Sequence, residues 1–315
     1  MRRRLLRRTG IALLLLFVLL NLVAAMHAWR FTHFQEGAVA KTPERGLSFT
    51  QKLGVLFLGA HNPRPRNMAV PDTAFQRVQI LSDAALEAWW VPVARPRGSV
   101  LLCHGYGGSK GGMTDKAAAF RAMGFSTLLL DFRGAGGSPG NQCTIGWSEA
   151  VEVRDAARWM RRQQPGPIVL FGTSMGAAAI MRALATDSLG AAAIIVECPF
   201  GTMTQTVKNR FRTQGVPAFP MAYLLLFWGG AENGFNAFAH NPEDYAAHIR
   251  TPTLLLWGDK DEKVTREETE AIFGRLAGPK ELHTFPGAGH ENYLRRYAPE
   301  WKQYTGQFLE RYIGQ

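Results

Sequence analysis

The chain has 315 residues, 46% of them hydrophobic, with a formal net charge of +11. That length buries a large core as one big α/β domain or two smaller ones, and the apolar fraction is that of a globular protein. The charge invites a nucleic-acid reading that its distribution argues against: residues 1–36 hold six arginines and one glutamate, leaving about +6 over the other 279 residues with both signs interspersed. No nucleic-acid partner is expected.

Arg2, Arg3, Arg4, Arg7 and Arg8 precede residues 11–29, whose only clearly polar members are Asn21 and His27. A helix of that length, at about 1.5 Å per residue, is close to the hydrocarbon thickness of a bilayer, with Trp29 at an interface. The leading arginines predict a cytoplasmic N-terminus and an extracytoplasmic remainder, periplasmic in a bacterium. A cleaved signal peptide competes, with Val23-Ala24-Ala25 as a tolerable cleavage site and residues 11–20 as its apolar core; the domain is then secreted. The expected organisation is a basic tail and transmembrane anchor over 1–30, a connecting segment over 31–74, and an α/β domain over 75–315. Within the connection, residues 55–58 suit a short helix or strand. Asn62-Pro63-Arg64-Pro65-Arg66 cannot hold regular structure, so the segment is expected to pack loosely.

From residue 75 the pattern is regular. Residues 75–80 and 86–93 read as a β-hairpin across Ser82-Asp83-Ala84, and 99–103 as a short buried strand. A helix over 114–123, a strand over 126–130, a glycine-rich loop over 131–140 and a helix over 145–164 follow. Residues 168–171 form the next strand and 174–185 the next helix; 192–196 and 253–257 are further strands. The chain closes with a helix over 267–276, a strand over 281–285 and a helix over 299–312. Short apolar strands alternating with such helices make a mostly parallel sheet covered on both faces, here of eight strands. More than 50 residues separate the strands at 192–196 and 253–257, so 199–250 is expected to be a cap-like insertion. Its apolar run 219–228 would line an acyl-sized pocket, or simply extend the core.

The chemistry centres on Gly172-Thr173-Ser174-Met175-Gly176, set between a strand and a helix. Glycines two before and two after a serine let strand and helix approach closely in a nucleophile elbow. A hydroxyl is a poor nucleophile without a base and an orienter for that base. His290, in the loop Gly287-Ala288-Gly289-His290, is the best base; His240 and His248 lie in the insertion. Gly258-Asp259-Lys260-Asp261-Glu262 supplies carboxylates, and Glu197 at the end of a strand is a reserve. The amides of Met175, at a helix start, and Tyr106, after His104-Gly105, can bind an oxyanion. His104 is expected to brace its loop, and Asp131 and Arg133 to form an internal ion pair. Cys103, Cys143 and Cys198 show no metal-ligand spacing, and neither a disulfide nor any metal or cofactor is expected.

Over residues 75–315 the sequence resembles the α/β-hydrolase superfamily, through His104-Gly105, Asp131-Phe132-Arg133-Gly134-x-Gly136-x-Ser138, the elbow at Ser174, Gly258-x-x-Asp261-x-x-Val264 and Gly289-His290. Within it the chain is similar to membrane-anchored bacterial serine hydrolases of the serine aminopeptidase-like and lysophospholipase-like group. The resemblance singles out Asp261 as the acid and implies a Ser174–His290–Asp261 triad that cleaves an ester or thioester. With the anchor and the apolar insertion, an acyl or lipid-like small molecule is the expected substrate and the bilayer the expected partner. Peptide hydrolysis and a non-catalytic binding role on the same fold are the alternatives. Haloalkane or epoxide opening would want a carboxylate where Ser174 stands.

Overall fold

The computed structural model describes residues 1–43 and 46–314. Helix α1 (Arg2–Thr32) is exposed along its first two thirds, then buries Ala24, Ala28 and Thr32, one face at a spacing of four. Helix α2 (Phe49–Leu58) starts where the Ser48 hydroxyl accepts from the Gln51 amide and the Gln51 side chain accepts from the Ser48 amide, a capping box.

The expected hairpin forms as β1 (Gln76–Leu81) and β2 (Ala85–Val91). Strand β3 (Gly98–Cys103), helix α3 (Thr114–Ala122), strand β4 (Phe125–Leu130), helix α4 (Glu149–Gln163), strand β5 (Ile168–Thr173), helix α5 (Met175–Thr186) and strand β6 (Ala193–Glu197) follow. The insertion folds as α6 (Met203–Thr213), α7 (Met221–Asn233) and α8 (Pro242–Ala246). Strand β7 (Thr253–Gly258), α9 (Arg266–Arg275), β8 (Lys280–Phe285), α10 (Tyr293–Arg296) and α11 (Ala298–Ile313) complete the chain.

Among the described residues the strands form one eight-stranded sheet in the order β1-β2-β4-β3-β5-β6-β7-β8, with β1 and β2 antiparallel and the rest parallel. Strands β3, β4 and β7 are buried at every position, as a strand covered on both faces must be. One face packs on Val153, Met160 and Ile180 from α4 and α5, the other on Phe120, Trp301 and Phe308 from α3 and α11. Fully burying one such side chain contributes roughly 1.5–3 kcal/mol, which is why these apolar runs fold as central strands. Strand β4 lies on one side of β3 and β5 on the other, so the chain reverses direction across the sheet between them. The crevice beyond the strand ends at such a reversal is where open α/β sheets place their sites.

Of the two readings of the insertion's apolar run, Leu226 follows the one that extends the core. Helix α7 runs beside α1, burying Ala222, Leu226 and Gly230 while Tyr223 and Phe227 stay exposed. The insertion is pinned to the body by buried His240, whose Nε2 lies 3.1 Å from the Ile145 carbonyl. Burial pushes that imidazole down to about 4, keeping it neutral.

The connecting segment is not loose either. The Cys143 amide donates to the Thr32 carbonyl, the Phe34 amide to the Asn141 carbonyl and the Gly136 amide to the Pro65 carbonyl, while Arg64 donates to the Ser138 carbonyl. Pro63 and Pro65 bar a ladder, but the Pro65 carbonyl still accepts, and neighbouring groups donate and accept in turn.

Candidate active site

Ser174 stands between β5 and α5 with φ 53 and ψ −112, a conformation L-residues rarely adopt. Its amide donates to the Glu197 carbonyl, holding the turn. A methyl at Gly172 would lie 2.6 Å from the Ala177 nitrogen on the other arm of the turn, as expected from sequence. At Gly176 the obstacle is different: a side chain would strike the Cys103 and His104 carbonyls at the end of β3. The second glycine therefore brings the elbow against the neighbouring strand.

The Ser174 Oγ lies 3.1 Å from His290 Nε2, and His290 Nδ1 lies 2.7 Å from Asp261 Oδ2. The other Asp261 oxygen accepts from the Lys263 and Val264 amides at 2.8 and 2.9 Å, which locks the carboxylate's orientation. Asp261 is buried, whereas Asp259 and Glu262 are exposed, and Asp259 accepts from the Gly287 amide instead. Glu197, the reserve acid, is held elsewhere: it accepts from Lys116 Nζ and Trp301 Nε1, each at 2.6 Å, and from the Thr173 hydroxyl. Both partners of the Lys116–Glu197 pair are buried, so losing one leaves an uncompensated charge at a cost of about 3–5 kcal/mol.

Tyr106 and Met175 flank the elbow from its two sides. Met175 opens α5, and the loop bearing Tyr106 lies against the elbow, so that a Cβ on Gly105 would be 3.3 Å from the Thr173 carbonyl. His104 braces this loop as expected. Its pKa is lowered by burial, so the ring is neutral; Nδ1–H donates to the Gly105 carbonyl and Nε2 accepts from the Phe132 amide at 3.2 Å.

The expected Asp131–Arg133 pair is absent among the described residues. Asp131 instead receives the buried Lys110 ammonium, which also donates to Glu87 at 2.7 Å, while the Arg133 amide donates to Glu152. Burial would raise the Asp131 carboxyl, but the Lys110 charge, His104 and the hydrogen bonds from Lys110 together hold its pKa below the ordinary value. Lys110 carries no motif and lies in a glycine-rich loop, so only the fold reveals this pairing.

Three further contributors escaped the sequence. Asn67, in the connecting segment, donates to Asp131 Oδ2 at 2.8 Å and accepts from the Gly111 amide at 2.9 Å, tying the two loops beside the elbow together. The Tyr106 hydroxyl donates to the Phe31 carbonyl at 2.6 Å and its ring stacks on Phe31 at 4.6 Å, so the end of α1 supports the residue nearest the elbow. Cys198, at φ 41 just after β6, places its Sγ within 4.8 Å of ligand atoms of both Asp261 and His290. Among the described residues these three form the one group able to converge on a metal ion, but the carboxylate and imidazole already bond each other. Burial lowers the His290 pKa, but Cys198 and the hydrogen bond that the ring donates to Asp261 raise it more, to a net value of about 10.

A cavity of about 260 Å³ opens here, lined among others by His104, Gly105, Thr173, Cys198 and His290. Its size is at the small end for organic ligands. A hydroxyl in hydrogen-bond contact with an imidazole that is itself held by a carboxylate can carry out acyl transfer.

Residues 94–228 match the sequence family described as serine aminopeptidase, S33. An uncharacterized protein of Mycobacterium tuberculosis is 30% identical over 198 residues, 62% of this chain and 63% of its own length. The match thus spans less than two thirds of that relative. The monoacylglycerol lipase of Mycolicibacterium smegmatis is 24% identical over 235 residues, 64% of this chain and 84% of the lipase. Among solved structures, a Pyrococcus furiosus esterase superposes with a TM-score of 0.65 at 23% identity, covering 80% of this chain and 98% of the esterase.

Proposed function

We propose that the chain, which has the fold of the α/β-hydrolases, is a membrane-anchored serine hydrolase cleaving carboxylic ester or thioester bonds of acyl compounds. The observation that carries this reading is the unbroken hydrogen-bond chain from Ser174 through His290 to Asp261. Relatives named esterase and monoacylglycerol lipase, and the apolar α1, favour acyl esters over peptides.

Ser174 Oγ attacks the substrate carbonyl as His290 Nε2 takes its proton, with Asp261 holding Nδ1–H and stabilising the imidazolium. The oxyanion of the tetrahedral intermediate rests on the Tyr106 and Met175 amides. His290 then protonates the leaving alcohol or thiol as the carbonyl re-forms, leaving an acyl-Ser174. Water, deprotonated by His290, attacks the acyl carbon; the second intermediate expels Ser174 Oγ, which recovers its proton, and the acid departs. No metal or cofactor is assigned a part in these steps. Residues 1–30 are the anchor, 31–74 the connection and 75–315 the catalytic domain with its insertion at 199–250, the N-terminus cytoplasmic and the domain extracytoplasmic. The description of the matched family favours a second reading, peptide hydrolysis by the same residues.

The test is a chain-length series of acyl esters and thioesters beside aminoacyl amides, run on the detergent-solubilised full chain with S174A as control. Preferred turnover of an acyl ester or thioester, together with loss of fluorophosphonate labelling in a folded S174A, is the expected result. Preferred amide cleavage would move the assignment to the peptide reading, and labelling retained in S174A would remove Ser174 as nucleophile.

A further inference from the structure

Water-facing helices of a globular domain ordinarily turn their large apolar side chains inward. Two short helices here do the opposite. Helix α2 has no buried residue and exposes Phe49, Leu53, Leu56, Phe57 and Leu58. From the α6–α7 connection into α7, Phe219, Tyr223 and Phe227 are exposed at a spacing of four, the last two on one face of α7. Both helices pack against α1.

Two hydrogen bonds set their level along α1. The Trp228 indole donates to Asn21 Oδ1 at 3.1 Å, and His27 Nε2 meets the Leu56 carbonyl at 2.9 Å. At about 1.5 Å per residue, Asn21 and His27 lie roughly 12 and 3 Å from Trp29 along the helix, within the ~15 Å half-thickness of a hydrocarbon core. Both contacts therefore fall inside the apolar stretch of α1. Cations line the same face: Lys52 is exposed between Phe49 and Leu53, and Lys208 Nζ lies 5.0 Å from the centre of the Tyr223 ring. Basic side chains among aromatics suit the headgroup level of an anionic leaflet.

We propose that α2 and α7 are a second membrane contact, seated beside α1 in the leaflet nearest the catalytic domain, with phospholipid covering their exposed apolar stripes. The proposal rests on the reading of α1 as a membrane anchor. It goes further by making the domain lie against the bilayer instead of hanging from it. Since Phe31 at the end of α1 supports Tyr106, that seat holds the Ser174 loops close to the lipid surface, where an acyl substrate is concentrated.

The test uses the full chain in phosphatidylcholine–phosphatidylglycerol vesicles, with a nitroxide on Leu16→Cys, Phe57→Cys, Phe227→Cys or Leu81→Cys; the native cysteines are buried. Labels at 57 and 227 are expected to behave like the one at 16, relaxed by oxygen and shielded from a water-soluble nickel chelate. Position 81, exposed on the β1–β2 hairpin, should do the reverse. If 57 and 227 match 81 while 16 remains in lipid, the second contact is wrong and the anchor stands. If 16 is also aqueous, the anchor fails and takes the proposal with it. Labels at 57 and 227 shielded from both reagents would mean that protein, not lipid, covers the face. In the same vesicles, combined F57E and F227E should lower turnover of a long-chain ester about tenfold and leave that of a short soluble ester unchanged. Equal loss on both esters, or none on either, would overturn the proposal.

Discussion

The two sides of the Ser174 site are held in different ways. On the elbow side, position comes from backbone: a strained φ at Ser174, close approach at Gly172 and Gly176, and an Asp261 carboxylate locked by the Lys263 and Val264 amides of its own loop. On the other side, the Tyr106 and Asp131 loops are held by groups far away in sequence. Phe31, Pro65 and Asn67, all from the segment before the domain, bond into them. The first arrangement is local and leaves a motif; the second is long-range and leaves none. A segment expected to be a passive connection thus contributes to the support of the site.

The largest effect that separates these sides should come from Asp261. D261N removes the charge that stabilises the His290 imidazolium and favours the wrong tautomer, so kcat should fall roughly 10³–10⁴-fold. D259N should lose little, because Asp259 is exposed and its side chain accepts from the Gly287 amide, away from His290. Steady-state kinetics on a soluble ester decides this, and the reverse order would transfer the acid's role to Asp259.

Next comes the long-range side. N67A removes two hydrogen bonds to the Asp131 and Gly111 loops, one of them to a carboxylate. A stability loss of about 2–4 kcal/mol is expected in denaturant unfolding. If the connection were passive, N67A would unfold like the wild type. Y106F deletes only the bond to the Phe31 carbonyl and should cost about 1 kcal/mol while keeping the amide that receives the oxyanion.

The smallest effect is a displacement on the pH axis. The His290 pKa is raised, and the base must be neutral, so kcat/KM should climb with pH along a limb lying above the ordinary 6.5 and directed toward about 10. The same sign applies to folding: the group's stabilisation is complete below about pH 6.5 and is lost as pH rises through the folded value. Because Cys198 contributes to the raising, C198A should move the limb downward, and a pH profile unchanged in C198A would remove the thiol from the site's electrostatics.

Much of the fold was legible because its signals are local. Buried strands read as apolar runs, and the expected eight strands agree with the observed ones to within about two residues. Ser174, Asp261 and His290 were picked from turn chemistry and motif resemblance, and the fold brings them into hydrogen-bond contact. Glu197 was a fair reserve by position, but a nearby lysine and tryptophan occupy it.

By itself, then, the sequence determined the alternation of strand and helix, the apolar length of α1 and the turns that carry Ser174, Asp261 and His290, since each depends on residues a few positions apart. Tertiary structure alone decided that Lys110 and not Arg133 neutralises Asp131, that α7 lies along α1, and that Cys198 stands beside the imidazole. The reason is physical. A buried charge or an apolar helix face must find a partner, but which partner depends on where distant segments meet, and spacing along the chain carries no record of that.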